Sequence, residues 1–206
     1  MSKTTFGMNQ KLLLASAAVM LFVGGIALGF GLREDSVPSE DSAEVGFARD
    51  MSLHHSQAVE MATLLYDRTE DDDLRFLAYD ILTTQQAQIG MMRGWLDIWQ
   101  HWPNGSEPAM TWMGMPTEGM MPGMATSDEI DQLRDASGRE ADVLFMQLMI
   151  PHHESGVTMA NAALVFAEAP AVKGLALKMA QAQAYEIEYM QTWLRENGYD
   201  AAAPGN

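Results

Sequence analysis

Met-x-x-His-His occurs twice in this chain of 206 residues, at Met51–His55 and Met149–His153, and the two copies hold four of its five histidines. Imidazole nitrogen and thioether sulfur are both uncharged and comparatively soft donors. Together they suit Cu(I) and Ag(I); zinc accepts imidazole but not thioether, and thioethers serve iron and magnesium poorly. A ferritin-type di-iron centre would need Glu-x-x-His pairs. No acidic residue stands three places before any histidine here, and methionine fills that place before His54 and His152. The candidate ligands are therefore His54, His55, His152 and His153, with Met51, Met149, Met61 and Met159 beside them. Imidazole must be neutral to coordinate, so binding is expected to weaken in acid.

A second set of soft donors lies between the copies. Six of the fifteen residues from Met110 to Met124 are methionine: Met110, Met113, Met115, Met120, Met121 and Met124. Gly114, Pro116, Gly119, Pro122 and Gly123 interrupt them, so they are no helical stripe. Clustered flexible thioethers can wrap a soft monovalent cation, and this segment is read as a capture loop for Cu(I) or Ag(I). The bland alternatives remain open. A methionine cluster can be an apolar lid, and a histidine on an inner helix face is more often a hydrogen-bonded core residue than a ligand.

The motifs belong to a larger repeat with an offset of 98 residues: Phe47 matches Phe145, Val59 matches Val157, Gln85 matches Gln183, Met92 matches Met190 and Trp95 matches Trp193. A constant offset across separated segments marks a duplicated unit. Apolar spacing at three and four residues makes each unit a helical hairpin. The expected helices run from about Ser39 to Tyr66, from Thr69–Asp72 to about Trp99, from a capping box at Ser137 and Glu140 to about Phe166, and from Pro170 to a cap at Asn197-Gly198. A short extra helix is expected at Ser127–Ala136, and Pro151 should kink the third long helix. Two hairpins make an all-α antiparallel four-helix bundle. Helical phasing turns the histidines inward, together with Gln85, Gln88, Gln183 and Glu186 on the partner helices, which are candidates to support the ligands from behind. One shared centre and two separate ones both fit this spacing.

The formal charge is −16 and cysteine is absent. Such a charge repels phosphate backbones and argues against nucleic acid as a partner. The missing thiols exclude disulfides, thiolate metal sites and cysteine nucleophiles. Leu12 to Leu32 is an uncharged run of 21 residues preceded by Lys3 and Lys11. It is long enough to span a bilayer, and its basic flank places the C-terminal domain outside the cytoplasm; a cleaved signal peptide would place it there too. The expected organisation is a membrane anchor at 1–35, a linker and helix start at 36–46, the first hairpin at 47–100, the methionine-rich loop at 101–126, the second hairpin at 127–198 and a tail at 199–206.

The segments Met51–Ala62 and Met149–Ala160, with Gln183-x-x-Glu-Ile-x-x-Met-x-x-Trp-Leu194, resemble the signatures of the domain of unknown function 305 family. The first copy departs from the pattern where Gln88 replaces the glutamate found at Glu186. The resemblance implies a ferritin-like four-helix bundle, secreted or membrane-tethered, with copper binding through His and Met in some members. The expectation is thus an extracytoplasmic protein that binds copper as Cu(I), with Ag(I) as a second ion, for buffering, storage or transfer rather than catalysis. Its partners would be the metal ion and, through the N-terminal helix, the membrane; a protein partner and a homo-oligomer are left open. The rivals are a metal-dependent oxidoreductase and a protein-interaction module without metal.

Overall fold

The computed structural model describes residues 37–200. The expected anchor lies outside the described residues; among those described, no helix is long and apolar enough to cross a membrane. The described chain is all-α, with no strand beyond an isolated bridge between Ala109 and Thr117. It forms α1 (Ala43–Arg68), α2 (Asp72–Ile98), a 3-10 turn (Thr111–Met113), α3 (Ser127–Asp135), α4 (Arg139–Phe166) and α5 (Pro170–Glu196). Under the repeat offset α2 and α5 occupy identical spans. Three-residue links after α1 and α4 force each pair into an antiparallel hairpin, and α1 also packs on α4.

Local chemistry sets the helix starts. Ser42, not Ser39, caps α1, its hydroxyl accepting from the Val45 N–H, because Ser39 to Ser42 close a turn first. Asp71 caps α2 through the Asp73 and Leu74 N–H groups. Its own N–H donates to Thr69, which ends α1 instead of starting α2. The expected capping box at Ser137 and Glu140 does not form. Gly138 is the cap residue at φ 55°, and its N–H donates to the Arg68 carbonyl at 2.9 Å. This bond to the end of α1 fixes a left-handed turn that only glycine adopts cheaply, and it moves Ser137 out of capping position. A capping box does form at Thr126 and Glu129, at the start of α3. α4 continues through Pro151 to Phe166.

The hairpins are tied reciprocally at their ends. Glu44 on α1 is buried, and its carboxylate accepts from the N–H groups of Glu168 and Ala169 just before α5. Asp142, its counterpart one repeat later, is buried on α4 and takes a hydrogen bond from Thr69 before α2. Glu44 satisfies main-chain N–H groups at the start of α5, whereas Asp142 is held by the Thr69 side chain.

Two buried clusters fill the interior. The first holds Leu65, Leu74, Ile81, Leu133, Phe145, Met61, Met149 and Leu194. The second holds Phe47, Met51, Met92, Met110, Met121, Met159, Met179 and Leu96. Each such side chain contributes roughly 1.5–3 kcal/mol of burial, so either cluster far outweighs any surface ion pair.

Candidate metal centre

The four motif histidines are fully buried. Along α1 and α4 they fall between the two methionine positions of each motif. Met51 and Met159 share one cluster, whereas Met61 and Met149 share the other. The histidine layer is therefore flanked on both sides by a pair of thioethers, one from each repeat. The antiparallel crossing of α1 and α4 produces this exchange, because position 51 runs alongside 159 rather than 149.

His54 and His152 meet at the middle of the layer. Their rings stack with centroids 3.8 Å apart and an interplanar angle of 29°. Neither Nδ1 nor Nε2 of either ring has a hydrogen-bond partner. Four unsatisfied ring nitrogens in a sealed interior are costly, and native cores rarely leave such groups unpaired.

The outer rings differ from the inner ones. His55 Nε2 lies 2.7 Å from Gln88 Oε1, and His153 Nε2 lies 2.7 Å from Glu186 Oε2. Amide and carboxylate oxygens only accept, so Nε2 carries the proton and donates in both pairs. In the neutral ring the lone pair is then on Nδ1, and Nδ1 of both histidines is buried without a partner. A metal-binding imidazole is commonly oriented in this way, with the far N–H on an oxygen acceptor and the other nitrogen free to coordinate.

Burial dominates the electrostatics. It pushes His54 and His152 well below the ordinary imidazole range, with neighbouring imidazoles repelling further charge and only the facing main chain opposing. Burial likewise holds His55 down at about 3, against the hydrogen bond with Gln88. These rings are neutral, and therefore competent as ligands, well into mild acid. The expected loss of binding in acid moves to lower pH than the free imidazole value implies.

Of the supporting residues, Gln88 and Glu186 reach histidines. Gln85 and Gln183 are buried in the same region, and the side-chain oxygen of each is unpartnered. Gly156 makes room for Gln183; a Cβ at that position would collide with the Gln183 amide oxygen. Among the described residues no group of three or more His, Asp or Glu side chains is arranged to hold a metal.

The loop methionines divide into three grades. Met110 and Met121 are buried in the cluster that contains Met51 and Met159; Met113 and Met124 pack against that cluster half-buried; Met115 and Met120 are 50% and 48% exposed. Two residues that the sequence motifs do not single out pin this loop. Asp50 Oδ2 accepts from the Met110 N–H at 2.7 Å and from Trp112 Nε1 at 2.8 Å, and its pKa is raised by burial. Gln57 exchanges two hydrogen bonds with the main chain of Ala125, at 2.8 and 2.7 Å. An acid next to Met51 and a glutamine two residues past His55 were the available signals. Gly123, at φ 76°, lies against the Pro151 carbonyl, so the loop touches α4 beside His152.

The model of the domain of unknown function DUF305 matches residues 44–194. The chain belongs to the DUF305 family. A DUF305 protein from Streptomyces coelicolor, inferred to be secreted, is 48% identical, with a TM-score of 0.75 over 79% of this chain and 98% of its own. A DUF305 fragment from Deinococcus radiodurans is 29% identical, with a TM-score of 0.61 over 75% of this chain and 96% of that one. CopM in its Cu(I)-bound form is 27% identical, with a TM-score of 0.58 over 76% of this chain and 98% of that one; CopM is also known in Cu(II)- and Ag-bound forms. No curated protein matches the chain.

Proposed function

We propose that this protein binds copper outside the cytoplasm, as Cu(I) with Ag(I) as a surrogate, in order to buffer, store or transfer it. The carrying observation is the histidine layer itself: six buried ring nitrogens without partners, two on His54, two on His152 and one each on His55 and His153. A core built only to be stable would satisfy or remove them. The thioethers of Met51, Met149, Met61 and Met159 lie in the two clusters on either side of the layer and would add soft donors to the imidazoles. Gln88 and Glu186 orient the outer rings. Copper-bound CopM supports the reading, being a structural relative of the same helical architecture.

The loop is the capture element of this reading. Met115 and Met120 meet an incoming ion at the surface, and Met113, Met124, Met110 and Met121 lead towards Met51 and Met159. The acidic surface raises the local concentration of cations. An anchor at residues 1–35 would hold the domain at the outer face of the membrane, in keeping with a relative inferred to be secreted. Copper is cargo in this reading, and no catalytic role is assigned.

The test changes His54, His55, His152 and His153 to Ala in the full chain and titrates Cu(I) against a chromophoric chelator. High-affinity binding should disappear while the helical signal persists. Unchanged affinity and stoichiometry would reject the reading.

A further inference from the structure

The two outer histidines occupy equivalent places, but the groups behind them carry different charge. Gln88 is an amide and Glu186 a carboxylate, each 2.7 Å from Nε2 of its histidine. Glu186 is buried and forms the one carboxylate–histidine pair in the layer among the described residues. The other buried carboxylates described, Glu44 and Asp142, are engaged at the hairpin ends. The candidate ligands of the layer, imidazole and thioether, are all neutral. An ion entering this interior therefore brings its whole charge with it, and an uncompensated buried charge is strongly disfavoured.

We propose that the centre is matched in charge to a single monovalent cation, with Glu186 as the residue that balances it. The inference rests on the copper reading above and specifies what that centre accepts. One carboxylate offsets one Cu(I) or Ag(I). A second monovalent ion in the first repeat would face only the Gln88 amide and remain uncompensated, and a divalent ion would leave one positive charge unbalanced. Glu186 acts through His153 and is a positioning and charge-balancing residue; it is not assigned as a ligand.

The near-twofold relation of the hairpins supplies the experiment. Glu186→Gln keeps the shape and the acceptor for His153 but removes the charge. Gln88→Glu on that background returns the charge at the equivalent place behind His55. Ag(I) and Cu(I) affinities are measured by chelator competition on the full chain, with circular dichroism as a check on folding. Glu186→Gln should weaken central binding by about 10–100-fold, the usual cost of losing a residue that supports a metal-ligating histidine. The double variant should return to within a few-fold of the parent, a rescue that a purely structural role for Glu186 would not give. Ag(I) bound per chain should differ by one between the parent and the variant lacking all four motif histidines. The inference is overturned by unchanged affinity in Glu186→Gln, by a double variant as weak as the single one, or by a difference of two ions. If the variant without the histidines binds as the parent does, the copper reading itself fails.

Discussion

The two hairpins have equivalent helices, with α2 and α5 on identical spans and α4 starting two residues before the counterpart of α1, yet they are not interchangeable. In the first, His55 rests on the neutral Gln88; in the second, His153 rests on the charged Glu186. Ala58 in the first becomes Gly156 in the second, where the Gln183 amide fills the space a Cβ would need. Leu53 becomes Pro151, whose carbonyl backs onto the loop at Gly123. The loop adds Met110 and Met121 to one cluster and Ala125 to the other, and the cluster with Ala125 is the richer in leucine and isoleucine. Duplication supplied a symmetric set of soft donors. Differences between the copies place a carboxylate on one side of the histidine layer, and the loop adds two further buried thioethers at one end.

Making the halves alike at position 88 should have the largest effect, and it appears in acid. His54, His55 and His152 are neutral in the fold but titrate near the ordinary value once unfolded, so below about pH 6.5 the unfolded chain binds more protons. Stability should fall as pH drops from there towards the folded value, which is about 3 for His55. For His55 alone this amounts to roughly 3 kcal/mol by pH 4. Gln88→Glu gives His55 a carboxylate partner, raises its folded pKa and should shrink that loss; urea midpoints at pH 7 and pH 4.5 measure the difference. An equal acid sensitivity in parent and variant would remove the electrostatic contrast between the hairpins.

A smaller effect separates Gly156 from Ala58. Gly156→Ala drives a methyl into the Gln183 amide and should destabilise by about 1–3 kcal/mol, the range for overpacking. Ala58→Gly meets no such conflict and should cost about 1 kcal/mol, the helix penalty of glycine. Urea unfolding of both variants tests the order, and equal losses would show the pocket around Gln183 to be more yielding than its geometry implies.

The smallest effect on stability concerns the loop tip. Met115→Leu with Met120→Leu changes exposed side chains and should move stability by no more than about 0.5 kcal/mol. Under the capture reading, stopped-flow Cu(I) uptake should slow several-fold while equilibrium affinity at the histidine layer holds. Unaltered uptake kinetics would leave the loop as a lid only.

Much of this was legible in the chain. The period of three and four, the constant repeat offset and the links set the hairpins, because an amphipathic helix must bury its apolar stripe. The same phasing put Met51, His54, His55 and Met61 on one inward face, and all four are buried. Where tertiary bonds competed with local signals, the local signals lost. Ser137 and Glu140 offered a cap, but the Gly138 N–H found the Arg68 carbonyl first. The loop looked like one uniform set of methionines, and only packing sorted buried Met110 and Met121 from exposed Met115 and Met120.

The sequence by itself determined which donors exist, that they come in two equivalent sets and that they face inward, since residue type and helical period are local properties. Only the tertiary structure decided that His54 stacks on His152, that Met51 pairs with Met159 rather than Met149, and that Gln88 and Glu186, not Gln85 and Gln183, meet the outer rings. Those choices arise from the antiparallel crossing of α1 and α4 and from the rotation of each partner helix. Both are set by how whole faces pack, and no short window of sequence contains them.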